Sequence, residues 1–291
     1  MKFWETHLKR MVLLLAFLLL LFGAYVPLTT LRESRPPEVR LGFFPPAPVV
    51  KALSADQYQF VSHLISLRCL FYFGTLVEEK GQVRDWNKLH RALYTSTRLD
   101  PYNMDAYYFS QAVLPWDAGK PQEAIDLLEY GFAHRTWDWY LPFFLSFDYA
   151  FFMKDYGKAG EYLAKAAELN PRAAWFSTLA ARYYYEGGRT ALALAYLKEL
   201  IPTARSEAIR KQLMIRAEAL EKILHLEEAI ADFRNRFQKA PENLPELVDV
   251  GILKRIPEDP YGGTFYLDKQ GKVRTTSKLA FGKGSSGVHK N

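Results

Sequence analysis

The 291-residue chain has a single cysteine, Cys69. With no second thiol it forms no internal disulfide and no Cys-based zinc or redox pair. Cys69 lies in the apolar stretch LISLRCLFYFG, where a buried thiol behaving as a small apolar side chain is expected. Histidines are few and scattered, at 7, 63, 90, 134, 225 and 289. None has the H-E-x-x-H spacing that puts two imidazoles on one helix face around zinc. There is no G-x-S-x-G elbow and no glycine-rich loop between a strand and a helix. The run FGKGSSG near the end lacks phosphate-loop spacing and reads as a flexible tail. No catalytic residues, cofactor or metal site follow from these patterns, and the expectation is that the protein is not an enzyme. Charge of one sign is also lacking: the formal net charge is +6, with 38 basic and 32 acidic residues interspersed. Nothing in that distribution calls for nucleic acid as a partner. The basic residues gather only toward the end, at Lys269, Lys272, Arg274, Lys278, Lys283 and Lys290, which reads as a solvated tail.

What the chain does have is one long apolar run, MVLLLAFLLLLFGAYVPL from Met11 to Leu28, free of charge and preceded by Lys9 and Arg10. A run of this length is near the minimum for a helix crossing the hydrocarbon core. A cleaved signal peptide would carry small residues at its end, and FGAYVPLTTLRES has no A-x-A pattern. An uncleaved anchor over 11–28 is the reading adopted. Residues 1–10 are then a short cytoplasmic end, with the large domain on the far side of the membrane, although Arg32, Arg35 and Arg40 weaken the charge asymmetry. Residues 29–53 carry RPPEV and FFPPAPVV, a proline density that favours extended chain, and are expected to be a linker.

From Ser54 the pattern becomes helical. Ser54 and Gln57 have capping-box spacing, and Phe60, Leu64, Leu67 and Phe71 recur at helical intervals. This 54–84 helix is so apolar that burial on several sides is expected. Beyond Asp85, helix-length segments alternate with the turns LDPYN, DAGKP, MKDYGK, LNPRA and EGGRT, which suggests stacked helical hairpins. The clearest unit is LPFFLSFDYAFFMKDYGKAGEYLAKAAELNP, with Ala159, Leu163 and Ala166 along its second helix and Pro171 ending it. It is followed by AAWFSTLAARYYYEGGRTALALAYLKELIP, with Ala180, Tyr184, Ala193 and Leu197 at matching places. It is preceded by MDAYYFSQAVLPWDAGKPQEAIDLLEYG, with Tyr108, Ala124 and Leu128, and by the half-unit WNKLHRALYTSTRLDP.

Residues 85–202 thus resemble tetratricopeptide repeats, whose period is about 34 residues. The family prefers glycine in the first helix where this chain has Ala112, Phe147 and Ala181, and Phe147 against Ala159 implies either a splayed hairpin or a shifted repeat register. The fold class implied is mostly α: an N-terminal transmembrane helix, an α-α superhelix, capping helices over 203–240 arranged as a long hairpin, and a small C-terminal module over 241–278 ahead of a disordered tail, 279–291. In that module Pro245 starts a short helix that Gly251 ends, and Thr264–Leu267 and Lys272–Thr276 form a β-hairpin. The stretch LVDVGILKRIPEDPYGGTFYL resembles the C-terminal part of type II secretion major pseudopilins. In that family the region can hold calcium, but Asp259 and Asp268 alone are too few oxygens for it, and Asp259 is expected to cap its own turn.

The repeat register predicts an inner groove lined by Tyr108, Phe109, Asp148, Phe151, Phe152, Trp175, Arg182 and Tyr185. Aromatics mixed with charge are the residue types that anchor protein partners. The sequence therefore reads as a single-pass scaffold of a bacterial inner membrane, its repeats in the periplasm, holding protein partners during assembly of a secretion, pilus or surface-polysaccharide machine. The alternatives are a pseudopilin-like structural subunit and, less favoured, an enzyme with its site in the groove.

Overall fold

The computed structural model describes residues 2–33, 41, 43–78 and 85–277. These residues are mostly helical, with twelve helices and one small antiparallel sheet. The chain divides into two compact units, residues 1–134 and 135–291.

The first unit contains α1 (Lys2–Glu33), α2 (Ala47–Leu53), α3 (Tyr58–Glu78), α4 (Trp86–Leu99), α5 (Met104–Val113) and α6 (Pro121–His134). Within α1, Arg10–Leu31 has a mean hydropathy of 2.6 and is long and apolar enough to cross a membrane, a property anchors share with export signals. Helix continues to Glu33, past the expected linker boundary at 29, because no proline follows Pro27 until after the helix ends. The far end of the expected linker is helical too. Pro46 caps α2, and Pro48 sits in its first turn, where the missing N–H costs nothing. Ser54 forms no capping box: it ends α2, its hydroxyl donating to the Lys51 carbonyl at 2.8 Å, and α3 starts only at Tyr58.

Helix α3 packs on α4 and α5, and α4 also packs on α2 and α6. The core holds Ile65, Cys69, Tyr72, Leu89, Leu93 and Leu127. Cys69 is fully buried, and burial pushes its thiol up to about 12, which makes it inert as a nucleophile at neutral pH. A polar knot lies beside this core. Asn103 Nδ2 donates to Ser62 Oγ (2.9 Å) and Ser66 Oγ (3.0 Å), while Ser62 Oγ donates to the Ser96 carbonyl (2.9 Å). All four residues are buried. Each donor therefore replaces water with a protein acceptor, which is what makes burial of these groups tolerable.

The second unit contains α7 (Tyr140–Phe151), α8 (Tyr156–Leu169), α9 (Ala174–Glu186), α10 (Thr190–Leu200), α11 (Glu207–Phe237), α12 (Pro245–Asp249), β1 (Phe265–Leu267) and β2 (Val273–Thr275). From α7 to α11 each helix packs on the next. The punctuation has visible causes. Asp155 accepts from the Lys158 N–H at 3.0 Å to start α8, as Asp85 does from Lys88 at 2.9 Å to start α4. Gly188, at φ +73°, supplies the left-handed step between α9 and α10. The segment expected to form a capping hairpin over 203–240 is instead one 31-residue helix, α11, because nothing between Ser206 and Gln238 breaks it.

Close helix approach uses glycines at unexpected places. A methyl group on Gly160 of α8 would come within 2.7 Å of the Tyr184 ring of α9, and one on Gly131 of α6 within 2.7 Å of the Tyr107 ring of α5. Large aromatic faces thus lie directly on glycine backbone. At the positions where the repeat pattern expects glycine, Ala112 is exposed, Phe147 half-buried and Ala181 buried. Despite Phe147, α7 and α8 pack closely, with Ala159 fully buried.

The C-terminal hairpin pairs Phe265 with Thr275 and Leu267 with Val273. It is not a separate module: Phe265, Val273, Leu247 and Leu253 share one core with Tyr185, Leu220 and Phe233.

Candidate partner-binding surface

The residues expected to line one groove fall into the two units. In the first unit Tyr108 is exposed on α5, whereas Phe109 is half-buried and packs edge-on against Phe73 with centroids 5.8 Å apart. In the second unit Asp148 is completely buried and Tyr185 nearly so, which removes both from the accessible surface. Phe152, half-buried, lies against Phe151 and Phe147, and Phe151 is exposed. Trp175 is 54% exposed at the start of α9, and Arg182, two turns on along the same face, is half-buried.

Around Trp175 the structure builds an aromatic platform. Phe143 of α7 stacks on Phe176 of α9 at 5.4 Å, and Trp139 lies 5.5 Å from Phe176. The Trp175 ring meets Phe143 edge-on at 6.0 Å and Phe176 at 4.3 Å. Tyr140, 47% exposed, stacks on Trp139 at 3.8 Å. Phe176 is buried and fixes the platform, so Trp175 and Tyr140 are held with little rotamer freedom. Rigid, exposed aromatics on a packed base lose little entropy when a partner covers them. The sequence pattern singled out Trp175 but missed Tyr140 and Phe143. Their signal was the aromatic run WDWYLPFF, which reads equally well as core.

A second polar cluster joins the hairpin to α9. Arg274 Nη1 donates to Glu186 Oε2 at 2.8 Å and Arg274 Nε to Asp268 Oδ2 at 3.1 Å. The Tyr185 hydroxyl donates to the Val273 carbonyl at 2.8 Å. Burial pushes the Tyr185 phenol up to about 12, against the nearby Arg274 charge. Burial also raises the Asp268 carboxyl, but the Lys272 N–H, the Arg274 guanidinium and the Gln270 N–H outweigh it and hold it below its ordinary value. A cavity of about 220 Å³ adjoins this cluster, lined by Tyr185, Glu227, Ile230, Arg234 and Lys272 among others. Glu227 is pushed up by burial there, partly offset by the Thr190 hydroxyl donating to it at 2.9 Å.

The two carboxylates considered for calcium are engaged internally. Asp259 Oδ1 accepts from the Tyr261 N–H at 2.9 Å, and Oδ2 accepts from the Thr275 hydroxyl. Asp268 Oδ1 accepts from the N–H groups of Gln270 (2.9 Å) and Lys272 (3.0 Å). Asp259 caps its own turn, as its place before Pro260 suggests. Among the described residues no group of three or more His, Cys, Asp or Glu is arranged to hold a metal ion. Compared with models of protein families and with curated proteins, the chain matches none.

Proposed function

We propose that the chain is a membrane-tethered helical-repeat scaffold of a bacterial envelope assembly, which holds a protein partner through apolar anchors on the α7–α9 surface. The observation that carries this is Trp175, half-exposed on the fixed platform of Phe143 and Phe176. Tryptophan is one of the residue types enriched among the energetic anchors of protein interfaces. The repeat reading draws support from spacing. The first helices of successive pairs begin at Met104, Tyr140 and Ala174 and the second helices at Pro121, Tyr156 and Thr190, near the 34-residue period of tetratricopeptide repeats. The tether draws support from the length and apolarity of Arg10–Leu31. In this reading the domain faces the periplasm and performs no bond chemistry of its own.

The test is photo-crosslinking in intact membranes. A photoreactive residue at 175 traps a discrete protein adduct, while the same residue at Glu168, exposed on α8, does not. Equal labelling at both positions, or no adduct at 175, sinks the proposal.

A further inference from the structure

Helix α3 is apolar on both sides, and the fold covers only one of them. The buried side presents Ser62, Ile65, Ser66, Cys69 and Tyr72 to α4 and α5. The opposite side carries Phe60, Leu64, Leu67, Leu70 and Phe71, which are 60, 45, 46, 50 and 67% exposed. At 100° per residue these five fall within one band about a third of the helix circumference wide. The expectation of burial on several sides is therefore met on one side only. Two of its polar side chains, Ser62 and Ser66, point inward to Asn103. A helix whose serines face the core and whose leucines and phenylalanines face out is inverted relative to a water-facing helix.

What covers this band is indicated by its surroundings. Within residues 43–75 and 85–134, every exposed Phe, Leu or Val lies in 43–71: Phe43, Val49 and Leu53 join the five on α3. Beyond that stretch the exposed large apolar residues of this unit are Tyr94, Tyr102, Tyr108 and Trp116, which carry polar tips. Exposed grease is thus concentrated in the part of the sequence nearest the apolar helix α1. Only the thirteen residues 34–46 separate the end of α1 from α2. Even fully extended they reach no more than about 45 Å. Charge agrees. From Tyr58 to Thr75 the helix has no acidic residue, and its exposed ionisable side chains are His63 and Arg68, with Lys51 exposed on α2 and Asp56 in the turn between them. Arg68 at the edge of the band and Lys51 on α2 suit anionic headgroups, while His63 lies within the band, 3.9 Å from Asp100. Among the described residues Arg10–Leu31 is the one segment with the length and hydropathy of a span, and α3, which buries one side against α4 and carries His63 and Arg68, suits the interface rather than the hydrocarbon core.

We infer that the outer face of α3, from Phe60 to Phe71, lies on the lipid surface of the same membrane that α1 enters, so that the first unit is docked on the bilayer. This rests on the membrane reading of α1.

The full chain, with Cys69→Ser, is reconstituted into vesicles of phosphatidylcholine and phosphatidylglycerol, and single cysteines at 64, 67 or 71 carry a nitroxide label. Position 88, exposed on α4, serves as the reference. Labels at 64, 67 and 71 are expected to become accessible to oxygen and shielded from a water-soluble nickel complex, while the label at 88 stays accessible to nickel. The double substitution Leu67→Glu, Phe71→Glu removes the shielding of a label at 64 while the helical circular dichroism is retained. Nickel accessibility at all three positions in vesicles that retain the protein overturns the inference and leaves the anchor standing. Dipolar broadening between labels on different molecules, in place of oxygen access, shows the face to be a contact between copies and also overturns it. Release of the protein by alkaline carbonate overturns the anchor reading itself.

Discussion

Replacing Gly160 with alanine tests whether ring-on-backbone contact really sets the spacing of α8 and α9. Within a helix the change Gly→Ala ordinarily stabilises by about 1 kcal/mol, because it lowers the entropy of the unfolded chain. Here the new methyl would sit 2.7 Å from Cδ1, 2.9 Å from Cε1 and 3.2 Å from Cγ of Tyr184. The Cγ contact is near the root of the side chain, so rotating the ring's far end does not relieve it. Tyr184 is buried and also packs edge-on against Tyr196 at 5.8 Å, which limits its retreat. Overpacking of this kind costs about 1–3 kcal/mol. The expected net effect is a destabilisation of about 1 kcal/mol, opposite in sign to the helix-propensity effect. Urea unfolding of the detergent-solubilised protein, followed by circular dichroism, measures it. The decisive comparison is a double-mutant cycle with Tyr184→Ala, in whose background Gly160→Ala should recover its stabilisation of about 1 kcal/mol, giving a coupling of about 2 kcal/mol. Gly74→Ala in α3, where a methyl meets nothing within 4 Å, is the unopposed control. Stabilisation by Gly160→Ala of the same size with and without the tyrosine ring would refute the argument.

Asn103→Ala removes two good hydrogen bonds to buried serines and the cap on the Ala106 N–H, and should cost about 2–3 kcal/mol in the same urea assay. Arg274→Ala leaves Glu186 and Asp268 facing each other without a cation, which costs about 3 kcal/mol or more for a largely buried pair. Limited proteolysis should then cut within 241–277 before it cuts α8. Because the Asp268 carboxyl is held below its unfolded value, its contribution is present at neutral pH and is lost as pH falls through that depressed value. An acid titration of Asp268→Asn should show a shallower loss of stability than wild type. Glu227 behaves oppositely: burial raises its carboxyl, so the native state holds the proton longer and stability falls as pH rises through its titration. Glu227→Gln should therefore remove that decline and melt no lower than wild type at neutral pH.

Helix boundaries between 85 and 202 were legible in the sequence because their causes are local. Asp85 and Asp155 cap by reaching three residues along the chain, and Gly188 and Pro171 act on their own backbone. The C-terminal hairpin was legible for the same reason, through Gly271 and the alternating FYL and VRT segments. What could not be read locally was which side of an apolar helix faces inward. Phe60, Leu64, Leu67 and Phe71 had the periodicity of a core stripe, yet the core takes Ser62 and Ser66, because Asn103, 37 or more residues away, supplies their partner. Asp148 and Tyr185, both expected at the surface, are buried. For Tyr185 the reason is again distant chain, since the Val273 carbonyl, 88 residues away, accepts from its phenol. Trp175 was legible as an accessible aromatic, but the platform beneath it was not, since stacking of Phe143 on Phe176 depends on how α7 meets α9.

The stitching of β2 into the core beneath Tyr185 has a bearing on biogenesis. Phe265 and Val273 complete a core that begins at Leu163. While the ribosome is still making residues 240–270, the helices already translated leave Tyr185, Leu220 and Phe233 without the cover that β1 and β2 supply. This half of the chain can acquire its final stability only after its closing strand has been synthesised, the kind of long-range closure that slows folding and leaves a nascent chain dependent on chaperones. A stop codon ahead of Phe265 would therefore be more damaging than the small size of the missing segment suggests, and the shortened polypeptide should be cleared by proteases.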